Sequence, residues 1–458
     1  VLCPLQACLA LFINKPLTAD RGCARDAVPP NRQNYQISVV GATEKRAESD
    51  VALPVGEGRC YTRGLKNGLE VVVVMRFADR LADIEPFRVV EVLTRAKALQ
   101  QAGEDIVHMA AGEPDFTTAE PIVVAAQQAL ARGETQYSPA AGIPQLRQAL
   151  SDYYRSDYGL DIDPQRIMIT PGASGALMLL AGLLVNPGEG MLMTDPGYPC
   201  NRHFLRLVEG EGQLVPVGPE QRYQLDAQLA EQHWRPNTCG VMVASPANPS
   251  GEILSASQLR DLHTLCKQRN GHLVVDEIYH GLSFGEAAPS VLSITDEAFV
   301  INSFSKYFGM TGWRLGWLVA PEWAVPHLEK LAQNLFISMS TMGQYGALAA
   351  FAPESRVILD ARRDEFARRR DFLYPALRDL GFSIPHCPAG AFYLYAGIDR
   401  FARDSQQFCL ELLEEHGIAI TPGADFGRYG ADKHVRFAYT TSMAQLEKAV
   451  DRLQRLYG

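Results

Sequence analysis

The chain has 458 residues, 47% of them hydrophobic and 21% charged, with a formal net charge of −9. That length exceeds one ordinary domain, and the balance is that of a globular chain rather than a disordered or fibrous one. The acidic excess argues against nucleic acid or an anionic membrane surface as the main partner, and no apolar run reaches the about 18 residues of a membrane span.

Residues 1–74 mix Pro, Gly, Arg and Cys without sustained periodicity apart from the run 71–74. Four of the nine cysteines lie here (Cys3, Cys8, Cys23, Cys60), and none of the nine shows Cys-x-x-Cys spacing. A reduced, cytoplasmic setting and no metal site are therefore expected. The apolar stretch 8–13 lacks a basic flank and does not read as a secretory signal. Orderly text begins at Met75, so 1–74 is expected to be a disordered leader or a segment outside the functional protein.

Apolar residues then recur at helical spacing over 86–101, a strand-like 106–110 follows, and 121–132 and 143–154 read as amphipathic helices. From 166 to 320 short apolar runs alternate with helical stretches: 166–170, 191–194, 241–244, 273–275, 300–302 and 315–320. This alternation predicts an α/β domain with a largely parallel sheet. Beyond it come a charged helix over 361–380, strands at 391–396, 418–421 and 435–439, and helices over 405–416 and 443–456. The expected organisation is a large domain over 121–354 and a smaller α+β domain built from 75–120 and 355–458.

Open parallel sheets bind ligands at the carboxyl ends of their strands, so the residues after each run are the candidates. After 166–170 comes Pro171-Gly172-Ala173-Ser174-Gly175-Ala176, a small-residue turn that suits phosphate at a helix N-terminus and equally suits a plain strand–helix turn. Tyr198 follows the next run in a Pro-Gly turn, where an aromatic either meets a planar ligand or is a half-buried loop residue. Asn248-Pro249-Ser250-Gly251 marks a tight turn, with the isomer of the bond before Pro249 left open. Asp276 follows three apolar strand residues and is either a helix cap or a desolvated acid in need of a cation. Finally Ser303-Phe304-Ser305-Lys306 embeds a lone lysine among aromatics and small residues, an environment that depresses an amine pKa and favours attack on a carbonyl.

Five motifs in order, Gly112-Glu113-Pro114-Asp115-Phe116, Asn248-Pro249-Ser250-Gly251, Asp276-Glu277-Ile278-Tyr279, Ser303-x-Ser305-Lys306 and Arg436, resemble the class I/II pyridoxal-phosphate (PLP) aminotransferases, in their bacterial aspartate-aminotransferase-like branch. The resemblance runs from about Ala78 to Leu456. It implies PLP fold type I, with a mostly parallel seven-stranded sheet flanked by helices. It also implies transfer of an amino group from an L-amino acid to a 2-oxo acid through pyridoxamine phosphate.

By the same resemblance, Lys306 forms the Schiff base and carries the proton, Asp276 pairs with the pyridinium nitrogen, and Tyr279 and Asn248 donate to the ring oxygen. Ser303, Arg314 and the backbone of Ala173 and Ser174 cradle the phosphate, and Tyr198 stacks on the ring. Arg436, assisted by Gly112, clamps the substrate carboxylate. Tyr137 resembles a tyrosine that reaches the phosphate of the neighbouring subunit, which implies a homodimer.

Two departures bear on the donor. Aspartate-using relatives often carry lysine where this chain has Ser174, and the segment Glu85-Pro86-Phe87-Arg88-Val89 brings Phe87 and Val89 where relatives carry small hydroxyl residues. A neutral or hydrophobic donor is expected, with Arg88 read as a solvated helix-start residue. Other reactions on this scaffold (a carbon–sulfur β-lyase, an α-oxoamine synthase, a cyclopropane-forming lyase) use the same lysine and aspartate. A PLP-sensing regulator would need a DNA-binding helix that 1–74 does not show.

Overall fold

In the computed structural model residues 77–458 are described throughout; before them only three strands are, by backbone alone: β1 (Gln36–Val40), β2 (Arg59–Lys66) and β3 (Leu69–Arg76). The chain forms two compact units, Val1–Leu81 and Ala82–Gly458. In the first, β3 pairs antiparallel with both β1 and β2. The sequence reading finds only 71–74 in this stretch. The register sets Lys66 opposite Leu69, and the Asn67-Gly68 dipeptide between them is a strong hairpin signal that apolar alternation does not reveal. The rest of 1–74 lies outside the described residues.

The second unit opens with α1 (Arg88–Gln101), β4 (Val107–His108), α2 (Glu120–Ala131) and α3 (Pro144–Tyr158). Seven strands then make the main sheet: β5 (Ile167–Thr170), β6 (Gly190–Asp195), β7 (Glu211–Pro216), β8 (Thr238–Ala244), β9 (His272–Asp276), β10 (Phe299–Ser303) and β11 (Gly316–Val319). Their spatial order is β5-β11-β10-β9-β8-β6-β7, and every pairing is parallel except the two made by β11. The expected mostly parallel seven-stranded sheet is present.

Alternate residues along each strand feed opposite faces of the sheet. Val241, Val243, Leu273, Val275 and Val300 join one buried cluster, whereas Met242, Val274, Phe299 and Ile301 join the other. Burial on both faces explains why these strands read as continuous apolar runs. The strand absent from those runs is β7, at the sheet edge, which carries only Leu214 and Val215 as apolar residues and ends at Pro216. An edge needs one face buried and tolerates a proline.

Successive parallel strands need crossovers, supplied between β5 and β9 by α4 (Gly172–Leu184), α5 (Cys200–Leu207), α6 (Ala227–His233) and α7 (Ala256–Gln268). The carboxyl ends of β5, β6, β8, β9 and β10 consequently share one edge. After α8 (Val325–Leu335) and α9 (Thr341–Leu348), α10 runs over Pro353–Asp379, starting before the expected 361 because Pro353 suits the first helical position.

The remainder is β12 (Tyr393–Gly397), α11 (Ser405–His416), β13 (Ile418–Ala419), β14 (Thr421–Pro422), β15 (His434–Ala438) and α12 (Met443–Tyr457). β15 pairs antiparallel with β12 and β14, while β13 pairs parallel with β4 and so ties the two ends of this unit together. Val92 and Ala96 of α1 pack with Leu413 and Ala419, and Arg95 grips Glu414. Among the described residues no helix is long and apolar enough to cross a membrane.

Candidate active site

A cavity of about 250 Å³ lies along the shared edge of the strand ends. Eleven of the twelve residues singled out in the sequence line it: Gly112, Ala173, Ser174, Tyr198, Asn248, Asp276, Tyr279, Ser303, Lys306, Arg314 and Arg436. The twelfth, Tyr137, stands apart with 80% of its surface exposed.

Lys306 follows β10 and donates from Nζ to the carbonyl of Gly112 at 2.6 Å. Burial pushes its pKa down to about 8. Arg436 and Arg314 add to the depression, while Glu113 and Asp276 oppose it. Asp276 ends β9 with its carboxyl buried, accepting from the backbone N–H of Ile278 at 3.0 Å. Burial raises its pKa to about 6, against that N–H and Lys306. No lysine, arginine or histidine lies within salt-bridge distance of it among the described residues.

Arg436 on β15 is 4% exposed and donates to Asn248 Oδ1 at 2.9 Å and to the Ala110 carbonyl at 2.8 Å. The rings of Tyr393 and Phe426 lie 4.1 and 4.7 Å from its guanidinium. Its Nε has no partner, and no carboxylate forms an ion pair with it among the described residues. A buried guanidinium without a counter-ion is costly unless a ligand supplies the anion.

At the other end of the cavity α4 begins after Pro171, which provides no side-chain cap, so the first-turn N–H groups lack that partner. Arg314 lies over this start: a Cβ at Gly172 would sit 2.7 Å from its Nη2, and Gly172 also has φ of +70°, so only glycine fits. Ser303 holds the neighbouring loop through the Leu315 carbonyl and the Ser305 hydroxyl.

The family model for aminotransferase class I and II matches residues 104–453. The chain belongs to this aminotransferase family. It is 36% identical over 375 residues to the valine–pyruvate aminotransferase of Mycobacterium tuberculosis, covering 81% of this chain and 96% of that one. It is 33% identical over 382 residues to the aspartate/prephenate aminotransferase of Thermus thermophilus, covering 83% and 98%. Among solved structures, an aminotransferase from Mycobacterium tuberculosis superposes with a TM-score of 0.81 at 35% identity, over 83% of this chain and 99% of that one. The Thermus thermophilus aspartate aminotransferase with maleate gives 0.79 at 33% identity, over 83% and 99%. The protein is thus an enzyme that transfers amino groups between amino acids and 2-oxo acids, with PLP fold type I, and the family's cofactor is pyridoxal 5′-phosphate.

The aminotransferase cavity fits that cofactor. Asp276 is a buried acid short of a cationic donor, as a protonated pyridine nitrogen would be. The uncapped start of α4 and Arg314 offer N–H groups and a guanidinium fork to a phosphate. Lys306 is the amine between them.

Sequence reasoning missed Tyr393, Asp425 and Phe426, all lining the cavity. The Tyr393 hydroxyl meets that of Tyr279 at 2.8 Å, and a Cβ at Gly112 would lie 2.4 Å from it. Phe-Tyr-Leu-Tyr in a strand reads as plain core, and only the β12–β15 register directs this ring at Arg436. Of the two apolar residues expected near the substrate, Phe87 and Val89 both line the cavity, with the Phe87 ring 6.5 Å from that of Tyr198. Arg88 between them is exposed and outside the lining. The bonds before Pro196, Pro246 and Pro249 are cis.

Proposed function

We propose that the enzyme takes the amino group of a neutral or hydrophobic L-amino acid and delivers it to a 2-oxo acid. The observation that carries this reading is the composition of the cavity. Its cations are Lys306, Arg314 and Arg436, each with a task of its own, and the remaining wall includes Phe87, Val89 and Leu177. Nothing basic in this lining is left for a second carboxylate. The relative named for valine and pyruvate points the same way.

When bound, PLP supplies an aldehyde that condenses with amines and a ring that stores the electron pair left by a broken Cα–H bond. Asp276 would hold a proton at the ring nitrogen. Tyr279 and Asn248 would donate to the ring oxygen, Tyr279 then accepting from Tyr393; burial keeps its phenol protonated. The start of α4, Ser303 and Arg314 would hold the phosphate, and Tyr198 would face the ring. Arg436 binds the substrate carboxylate through its unpartnered side and, with Gly112, sets which Cα bond faces Lys306. Lys306 Nζ, with its depressed pKa, would take the proton from Cα and deliver it to C4′, the cofactor's former aldehyde carbon.

The test is a half-reaction screen in which the PLP-loaded enzyme meets each amino acid and the decay of its visible band is timed. Alanine, valine or phenylalanine should outpace aspartate. Aspartate matching them would overturn the neutral-donor reading, and pyruvate with ammonia released without an acceptor would indicate a lyase.

We also propose a homodimer in which the exposed Tyr137 completes the partner's phosphate site. Mixing Tyr137→Phe with Lys306→Ala subunits should then yield hybrid sites with wild-type cofactor affinity. A monomeric mass by light scattering at full activity would remove this reading.

A further inference from the structure

Helix α1 begins at Arg88, and the residue before it, Phe87, makes no side-chain cap. Uncapped first-turn N–H groups need a partner when they lie against a protein surface. Here the partner comes from the far end of the chain. Asp425, on the turn Gly423–Asp425, accepts from the backbone N–H of Arg88 at 2.8 Å, and the neighbouring N–H of Val89 also favours its charge. Asp425 is 5% exposed and lines the same cavity as Phe87 and Val89.

Two consequences follow from this one contact. The cap fixes the helix start, and with it the two apolar residues that the helix start presents to the cavity. It also places an acid on the wall reserved for the substrate side chain. Burial raises its pKa, while the helix N-terminus, Arg436 and Arg88 favour the ionised form. Arg88 is exposed and outside the lining, and its charge reaches Asp425 only from the solvent side of the helix start.

We propose that Asp425 is a specificity-determining residue of this aminotransferase: it positions Phe87 and Val89 by capping α1 from a distance, and its carboxylate repels donors that carry a second carboxylate. This rests on the neutral-donor reading above and names the residue that enforces it.

Single-turnover half-reactions of the PLP-loaded enzyme with L-phenylalanine and L-aspartate test it in the wild type, Asp425→Asn and Asp425→Ala. The asparagine amide oxygen still accepts from the helix N–H groups but carries no charge. The aspartate-to-phenylalanine ratio of kcat/KM should therefore rise about tenfold in Asp425→Asn. Asp425→Ala also loses the cap, and its KM for phenylalanine should rise about tenfold beyond any change in kcat. If the asparagine protein does not accumulate, Asp425→Ser, an uncharged acceptor, gives the same comparison. An unchanged ratio, or equal losses for both donors in both variants, leaves only a scaffold role and overturns the inference. The wild-type ratio by itself judges the neutral-donor reading; the change of that ratio on substitution judges Asp425.

Discussion

Changing Lys306 to alanine is expected to lower kcat by at least about 10⁴-fold, because one nitrogen serves as both the attacking amine and the base at Cα. The local environment prepares it for both tasks. With a pKa of about 8, roughly a quarter of the lysine is neutral at pH 7.5, against about one part in a thousand for an unperturbed side chain. Arg436 and Arg314 contribute to that shift, so the groups expected to bind the two anions also activate the amine. Two measurements check this. Steady-state turnover should vanish, and borohydride reduction of the PLP-loaded enzyme should fix the cofactor to the peptide containing Lys306 in the wild type alone. Turnover within tenfold of wild type in Lys306→Ala would end the assignment.

The second large effect is expected at Asp276. Removing its carboxylate should lower kcat about 10³-fold, since a preorganised charge in a buried site is worth far more than in water. Asp276→Glu should recover part of the loss and Asp276→Ala none.

The same residue predicts a pH dependence. Burial raises its pKa to about 6, so the ionised form that would pair with a cationic ring nitrogen predominates above pH 6 and is lost below it. Cofactor affinity should therefore weaken as pH falls through about 6, more steeply in the wild type than in Asp276→Asn, where this titration is absent. The phosphate titrates in the same range, and it does so in both proteins, so the difference between the two curves isolates the carboxyl. Parallel curves would remove Asp276 from that role.

The reach of sequence reasoning differs between the two halves of the site. Lys306, Asp276, Asn248, Tyr198 and Ala173 each stand within four residues of the end of an apolar strand run. A parallel sheet carries all such positions to one edge whatever the details of packing, so the cofactor end of the cavity was legible from local pattern and motif. The substrate end was not. Tyr393 looks like any strand aromatic until β12 pairs with β15, and Asp425 lies in a turn with no local sign that it caps a helix begun at Arg88. Contacts between distant segments depend on register and side-chain direction, which no window of a dozen residues contains.

By itself the sequence determined the α/β class and the strands buried on both faces, because burial and periodicity are local properties, and its ordered motifs marked Lys306, Asp276 and the Gly172 turn as candidates through the family resemblance. Tertiary structure decided the rest: which wall faces the substrate side chain, what surrounds Arg436 and leaves its Nε unpartnered, where Arg88 points, and how far burial moves the pKa of Lys306 and Asp276. Each of these is set by what one segment excludes or supplies around another, and only the folded chain brings those segments together.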